Sequence, residues 1–244
     1  ISNIITNIKI CIIPSMNPDN LFYARRNSNF VDLNRDFDIH KKKTLQPESK
    51  AIIDNTKQYN FILDMDCHDG ARLISFPPDQ DYNYKNINNL IYVSEEYLKY
   101  NHEIKNNPIP TKFKKGYTIG SHWYSIKGSL RDYMKKFFQL EGITLEISPL
   151  KNIKNENELE KVYQENNLAF LRFIELTLES FCGKIVDDNN NGIENVTIKI
   201  NNNTYKSDSM GKFYIFLPKN EYYVEILKDG YETYSDIIKS PNRK

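Results

Sequence analysis

The feature that most constrains the fold of this sequence is a change in its hydrophobic pattern near Ser180. Beyond that residue, alternating apolar and polar residues form short runs that are separated by turns rich in Asn, Asp and Gly. These runs cover residues 183–187, 196–200, 212–217 and 222–227. Runs at roughly ten-residue spacing are typical of a small antiparallel β-sandwich. We therefore predict a first domain over residues 1–179 and a small all-β domain over residues 180–244 that leans on the first.

The first domain alternates strand-like and helix-like segments, which is typical of an α/β fold. Apolar runs rich in β-branched residues predict strands over residues 4–13, 60–67, 73–76 and 143–148. Apolar residues at helical spacing predict helices over residues 47–59, 86–105 and 156–178. Because the chain starts at Ile1 instead of Met and runs almost at once into a predicted strand, we expect it to be a fragment of a longer protein.

The composition argues against several classes of function. A formal net charge of +1 over 244 residues indicates neither nucleic acid nor an anionic membrane as a partner. No apolar run approaches the roughly 18–20 residues that a transmembrane helix requires. Cys11, Cys67 and Cys182 are odd in number and widely spaced, so they predict no disulfide framework and no zinc finger. The cellular compartment stays open.

Polar residues that could form a site occur in three places. The segment 25–37 carries three arginines and three asparagines, whose donors suit a free carboxylate such as a peptide C-terminus. A solvated basic loop is the alternative for this segment. His68 ends a predicted strand, where sites in open α/β sheets gather, although a lone histidine can be structural. Glu146 lies between apolar residues in a predicted strand, and we expect it to face a site because an unpaired buried carboxylate is costly.

Several motifs occur in an order that resembles one enzyme family. They cover residues 14–19, 32–37, 68–70, 116–124 and 144–146, followed by the predicted sandwich. Together they resemble the zinc metallocarboxypeptidases, in particular the regulatory branch of carboxypeptidases D, E, M and N, which carries a transthyretin-like domain. The resemblance covers nearly the whole chain. It implies an α/β carboxypeptidase-like domain, with a mixed sheet between helices and truncated at its N-terminus, followed by a small all-β transthyretin-like sandwich.

The resemblance also implies catalytic roles for individual residues. His68 matches the third zinc ligand of the family, and Glu146 matches its general base. Arg25 matches the arginine that polarises the scissile carbonyl and stabilises the oxyanion. In this chemistry zinc lowers the pKa of a bound water, and the carboxylate takes a proton from that water during attack on the peptide carbonyl.

The implied substrate-binding residues lie in the same motifs and around them. Asn34 and Arg35 match the pair that binds the terminal carboxylate, and Tyr124 matches the tyrosine that closes over the bound residue. Asp79 matches the aspartate that receives a C-terminal Lys or Arg in this branch. Arg131 stands where the branch usually has glutamine at the pocket floor. Arg131 could neutralise Asp79, select acidic C-terminal residues, or lie at the surface without a role.

One family motif is absent from the sequence. The family takes its first two zinc ligands from a His-x-x-Glu motif, whereas His40, His102 and His122 have no Glu three residues further on. A catalytic zinc normally has three protein ligands, so one zinc ion would need two ligands besides His68. We therefore predict that the chain as given binds no zinc tightly and releases no C-terminal residues.

Two functions are consistent with these observations. The first is a zinc-dependent metallocarboxypeptidase that removes single C-terminal residues, with basic residues as one expected preference. The second is a non-catalytic carboxypeptidase-like module that recognises peptide C-termini without metal. Glu146, Tyr124 and Arg25 favour the enzyme, because a pure binding module needs no general base. We expect peptide or protein C-termini as partners and a monomer, and the resemblance implies secretion or the secretory pathway.

Overall fold

The structure is a computed structural model that describes residues 6–20, 25–38, 44–80, 87–151 and 153–241. The helices are α1 (Pro47–Gln58), α2 (Asn88–Leu98), α3 (His102–Asn106), α4 (Gly120–Trp123), α5 (Leu130–Phe138) and α6 (Glu156–Leu176). The strands are β1 (Leu63–His68), β2 (Leu73–Phe76), β3 (Tyr117–Ile119), β4 (Glu141–Glu146), β5 (Ser180–Lys184), β6 (Thr197–Ile200), β7 (Asn203–Lys206), β8 (Lys212–Phe216), β9 (Asn220–Leu227) and β10 (Tyr234–Ser240). None of the helices in these ranges is long and apolar enough to cross a membrane.

The first sheet is mixed, with the strand order β1-β4-β2-β3 among the described residues. Strand β4 is parallel to β1 and antiparallel to β2, which in turn is parallel to β3. One face of this sheet forms a core with α2 and α6, and its fully buried members include Ile74, Ile143, Leu145, Leu90, Val93 and Ala169. The predicted α/β fold with a mixed sheet is confirmed.

The other face of the sheet is polar and positions the candidate site. Side chains alternate along a strand, so Asp64, Asp66 and His68 of β1 point away from the core to which Leu63 contributes. Cα pairing places Asp66 beside Thr144 and His68 beside Glu146 on β4. We call this surface of β1 and β4 the site face.

The predicted strand over residues 4–13 is wrong for the described part of that range. Residues 8–13 lie in no strand, and Ile10, Ile12 and Ile13 are exposed. The segment instead lies near the end of α1, where Cys11 Sγ accepts a hydrogen bond from Asn55 at 3.6 Å. Isoleucine favours a strand only where a neighbouring strand and a core receive it, and among the described residues this segment pairs with no strand. Residues 1–5 lie outside the described residues.

Two other segments differ in detail from the sequence-based predictions. The helix predicted over residues 86–105 is divided into α2 and α3, because the Asn101 side chain accepts a hydrogen bond from the Ile104 amide at 2.8 Å and caps α3. Asn101 is fully buried and donates to Asn166 at 2.8 Å. The motif over residues 116–124, whose glycines are typical of a loop, contains β3 and the short helix α4.

The C-terminal residues form short antiparallel strands, as predicted. Strands β10-β9-β6-β7 make one sheet and β5-β8 another. Phe181, Ile198, Phe213 and Val224 lie in the core between these strands. The strands also rest on the first part of the chain, because Phe216 packs in the first core and its carbonyl accepts from Asn89 at 3.3 Å. The transthyretin-like character of this unit stays a prediction.

Candidate active site

Six of the eight predicted site residues line one cavity of about 180 Å³ on the site face. They are Arg25, Asn34, His68, Asp79, Tyr124 and Glu146. The six residues come from separate segments of the sequence, so the fold, not local sequence, brings them together. Arg35 and Arg131 do not line this cavity.

The centre of the cavity is the edge of the sheet at which β1 and β4 both end. His68 and Glu146 are Cα partners at the last position of these parallel strands. The backbone pairing continues one step further, where Ile147 N–H donates to the His68 carbonyl at 2.9 Å. Because parallel strands have their carboxyl ends at the same edge, an imidazole and a carboxylate are placed side by side there.

Glu146 is a buried carboxyl group whose proton affinity suits a general base. Its side chain is 7% exposed, and burial raises its pKa from 4.5 to about 7, although the charge of His68 opposes this shift. A base with a pKa near the working pH combines the correct protonation state with a useful driving force for proton transfer. Glu146 can therefore accept a proton near neutral pH.

His68 is held through one ring nitrogen. Its Nε2 lies 3.1 Å from Asp66 Oδ2 and 3.4 Å from Asn34 Nδ2. Burial lowers the pKa of His68, but Asp66 and Glu146 outweigh that effect and raise the pKa above its ordinary value. A ring nitrogen held by a carboxylate is a common arrangement behind histidines that bind metals.

Asp32 organises the arginine-rich segment. Its Oδ2 accepts a hydrogen bond from Arg25 Nε at 2.7 Å, and its Oδ1 accepts from the Asn34 amide N–H at 3.0 Å. The second bond caps the short 3-10 turn Leu33–Arg35, and Leu33 is buried beneath that turn. Asp32 therefore positions two cavity residues, a role that the sequence analysis missed. An Asp directly before the turn was the available signal.

The Asn34 side chain has a fixed orientation. Its Oδ1 accepts the Leu130 amide N–H at 3.0 Å, so its Nδ2 group faces His68 and the cavity. Arg35 Nη1 donates to the Asn34 backbone carbonyl at 2.7 Å. Arg35 thus supports the turn that presents Asn34, and its predicted contact with a substrate carboxylate stays a prediction.

Tyr124 stands at the rim of the cavity with 51% of its surface exposed. It follows α4, and its ring meets Trp123 edge-on with centroids 4.9 Å apart. Burial and the charge of Glu146 raise the pKa of Tyr124, so its hydroxyl stays protonated as a donor at neutral pH. The exposed position is consistent with the predicted closing movement, which stays a prediction.

Asp79 lies deep in the cavity and is 8% exposed. Burial raises the pKa of its carboxyl group, while a hydrogen bond from Ser129 opposes the shift. Its backbone N–H donates to Asp132 Oδ1 at 3.0 Å. Gly120 is required beside it, because a Cβ at that position would collide with the Asp79 carboxylate.

The position of Arg131 corrects one of the alternatives drawn from sequence. Arg131 is 2% exposed, so it is not a surface residue. Its guanidinium forms ion pairs with Asp64 and Asp66 of β1, and its charge also opposes the rise that burial causes in the pKa of Asp79. Although burial raises the pKa of Asp66, Arg131 and His68 lower it overall, so Asp66 stays ionised. Two aspartates at alternate positions of an apolar strand were the signal for this cluster, and it was missed.

The described residues do not by themselves form a zinc site. They contain no group of three His, Cys, Asp or Glu side chains that could hold a metal ion. His68 can supply one ligand, whereas catalytic zinc normally takes three from the protein. The donor set within the described ranges therefore does not fit the ion, and no chemical step below depends on a metal.

The fold is an α/β domain whose cavity places the Asn34 amide and the Arg25 guanidinium near the buried carboxyl group of Glu146, and comparison with known proteins identifies the family. The zinc carboxypeptidase family model matches residues 1–169. The chain therefore belongs to the zinc carboxypeptidase family.

The similar curated proteins are carboxypeptidases M, D and N, in agreement with the predicted regulatory branch. Carboxypeptidase M of Mus musculus is 26% identical over 100% of this chain and 61% of its own length. Carboxypeptidase D of Anas platyrhynchos is 28% identical over 95% of this chain and 19% of its own length. Carboxypeptidase N catalytic chain of Rattus norvegicus is 25% identical over 95% and 62%. The chain thus spans about three-fifths of the M and N proteins.

A solved structure supports the fold over about two thirds of the chain. Carboxypeptidase A from Helicoverpa armigera superposes with a TM-score of 0.52 at 16% identity. The match covers 67% of this chain and 50% of that protein. At this identity the likeness concerns the fold alone.

Proposed function

We propose that the protein to which this chain belongs is a metallocarboxypeptidase that removes single C-terminal residues from peptides or proteins. The observation that carries this proposal is the shared cavity, in which carboxylate-binding donors lie beside a buried base with a pKa of about 7. A module that only bound C-termini would gain nothing from burying Glu146, since an ionised buried carboxylate costs free energy.

In this proposal the terminal carboxylate of the substrate binds to Asn34. The Asn34 amide is pre-oriented by the Leu130 N–H, so little conformational freedom is lost when its Nδ2 group donates to the ligand. Arg35 supports the same turn and can add a charged donor once substrate is present. Tyr124 covers the bound residue from the rim.

Glu146 and Arg25 carry the proposed chemistry. Glu146 accepts a proton from the attacking water, and Arg25 donates to the oxygen that becomes negative in the tetrahedral intermediate. Asp32 holds Arg25 through the 2.7 Å ion pair, which fixes that donor before reaction. Removing one preorganised donor of this kind typically lowers the rate by about 10²–10³.

Asp79 supports a preference for basic C-terminal residues. Because Arg131 is paired with Asp64 and Asp66, its charge offsets the burial of Asp79 only in part, and the pKa of Asp79 stays raised. A buried carboxylate of this kind gains most from a cationic partner, since Lys or Arg would compensate the cost of its burial.

Further parts of the proposal rest on family membership. The proposed cofactor is one zinc ion with His68 as a ligand and two ligands from outside the described residues. The proposed location is the secretory pathway or the extracellular space, and a monomer is the proposed state. Residues 180–244 are proposed to be a transthyretin-like domain.

Binding of a peptide C-terminus can be tested on this chain without a metal. We expect a labelled peptide ending in a free Arg carboxylate to bind about tenfold or more tightly than its C-terminal amide in a fluorescence anisotropy titration. Asn34→Ala should abolish this difference, whereas Asn29→Ala, a matched change at an exposed residue that donates to Gln46, should preserve it. Equal binding of acid and amide to the wild-type chain would refute the carboxylate pocket.

Catalysis is tested on a longer protein that carries the proposed metal ligands. Glu146→Gln in that protein should abolish the release of arginine from a blocked dipeptide. Undiminished release would remove Glu146 from the mechanism. Binding without release in the wild-type protein would instead identify a recognition module.

A further inference from the structure

We propose that Asp66 is a positioning residue that fixes the tautomer of His68. Asp66 Oδ2 lies 3.1 Å from His68 Nε2. An ionised carboxylate can only accept hydrogen bonds, so Nε2 must carry the ring proton. The other ring nitrogen, Nδ1, then keeps its lone pair. His68 thus offers a defined acceptor or ligand atom rather than a mixture of two forms.

A second contact at the same His68 nitrogen would favour the opposite tautomer. Asn34 Nδ2 lies 3.4 Å from the same Nε2 atom. Because Asn34 Oδ1 is occupied by the Leu130 N–H, the amide can only donate in this direction, and it would favour a proton on Nδ1. One nitrogen cannot both donate to Asp66 and accept from Asn34. The shorter bond to a charged group is the stronger one, so Asp66 decides the tautomer.

Asp66 is itself fixed by groups that bind chiefly its other oxygen, Oδ1. Arg131 binds Asp66 Oδ1, and Thr144 Oγ1 donates to the same oxygen at 3.0 Å and lies 3.2 Å from Oδ2. Arg131 is 2% exposed and also pairs with Asp64 on the same strand. Gly142 leaves room for this pair, since a Cβ there would collide with Asp64 and with Arg131. Arg131, which the sequence suggested as a specificity residue, thus acts behind His68.

The conservative variant Asp66→Asn should invert the tautomer. The variant's Oδ1 stays with its two donors, Arg131 and Thr144, so the new Nδ2 group replaces Oδ2 opposite His68. An amide nitrogen donates, so His68 Nε2 becomes an acceptor and the proton moves to Nδ1. A comparable change from Asp to Asn beside a catalytic histidine yields the wrong tautomer in serine proteases, with the surrounding geometry intact.

The measurement is two-bond ¹H–¹⁵N correlation NMR on the metal-free chain labelled with ¹⁵N-histidine, in alkaline buffer where imidazoles are neutral. His68→Ala assigns its signals among the four histidines. We expect Nε2–H to exceed Nδ1–H by about tenfold or more in the wild type and Nδ1–H to dominate in Asp66→Asn. The matched control is Asp64→Asn, which also contacts Arg131 but not His68 and should keep the wild-type tautomer.

Three results would overturn the proposal. They are Nδ1–H in the wild type, an unchanged tautomer in Asp66→Asn, and an equal change in Asp64→Asn. If Asp66→Asn does not fold, the wild-type spectrum still decides, because Nδ1–H there contradicts the assignment. The inference deepens the proposed function, since His68 lines the same cavity, but its readout needs no turnover. A failure of the carboxypeptidase proposal and a failure of this one are therefore distinguishable.

Discussion

Replacing Glu146 by Gln should make the isolated chain more stable at neutral and alkaline pH. Glu146 is 7% exposed, and burial raises its pKa from 4.5 to about 7. A group whose pKa is raised on folding contributes its full stability below its unfolded pKa and loses that contribution as the pH rises through its folded pKa. The folded chain is therefore penalised above pH 7, where Glu146 must be ionised while buried. Glutamine has nearly the same shape and no charge, so it escapes this penalty.

The size of the effect follows from the pKa shift. One pKa unit corresponds to about 1.4 kcal/mol, so the rise from 4.5 to about 7 corresponds to about 3 kcal/mol. We expect Glu146→Gln to gain up to that free energy of unfolding at pH 8 and to show no gain at pH 4. Against a typical domain stability of about 5–15 kcal/mol, such a change is easily measured.

The assay is urea unfolding of the metal-free chain, followed by the fluorescence of its one tryptophan at a series of pH values. Glu232→Gln is the matched control, because Glu232 is exposed and its substitution should leave the pH profile unchanged. If Glu146→Gln is no more stable than wild type at pH 8, the buried carboxyl is not penalised as argued. A gain that persists at pH 4 would refute the link to ionisation.

Three further perturbations test other parts of the structure. Arg131→Gln removes the buried cation that pairs with the half-buried Asp64 and Asp66 and should cost about 3–5 kcal/mol in urea unfolding. Lys161→Gln, at a 69% exposed lysine, should change little, and a loss below about 1 kcal/mol for Arg131→Gln would contradict the importance of these ion pairs. Gly120→Ala places a Cβ against the Asp79 carboxylate. In calorimetric titrations it should weaken the binding of peptides ending in Arg more than the binding of peptides ending in Phe. Equal weakening would argue against contact between the C-terminal Arg and Asp79. Equilibrium dialysis with elemental analysis should find no stoichiometric zinc on the chain, because His68 supplies one ligand and three are normally needed. One retained zinc ion per chain would contradict the expected lack of tight zinc binding.

The sequence predicted correctly those helices and strands whose hydrophobic pattern matches the packing that surrounds them in the fold. Strand β2 was predicted at its observed bounds because a short apolar run followed by Pro77-Pro78 is unambiguous. Helix α6 was predicted close to its observed range because its apolar face packs on α2 and the sheet. The strand prediction over residues 4–13 was wrong for the described residues because isoleucine content does not show whether a partner strand is present.

The candidate site shows a similar division. The sequence identified six of the residues that line the cavity, because strand ends and Arg-Asn patterns carry local signals. It did not identify what holds them. Asp66 contacts His68 from two positions earlier on strand β1. Arg131 lies on helix α5, and its ion pair with Asp66 depends on how α5 packs against the sheet. Contacts between distant segments leave no periodic signal in a single sequence.

Asp66 and Glu146 lie on the same site face in different environments, and comparing the two carboxylates gives a prediction that neither gives alone. Asp66 is ionised because Arg131 compensates its burial, whereas Glu146 forms no ion pair among the described residues and its pKa rises to about 7. Removing a charge should therefore have opposite effects at two positions that contact the same sheet face. Arg131→Gln should destabilise the chain, and Glu146→Gln should stabilise it above pH 7. If both variants shifted stability in the same direction, burial alone and not partnering would govern these charges, and the assignment of Glu146 as the free base would lose its physical basis.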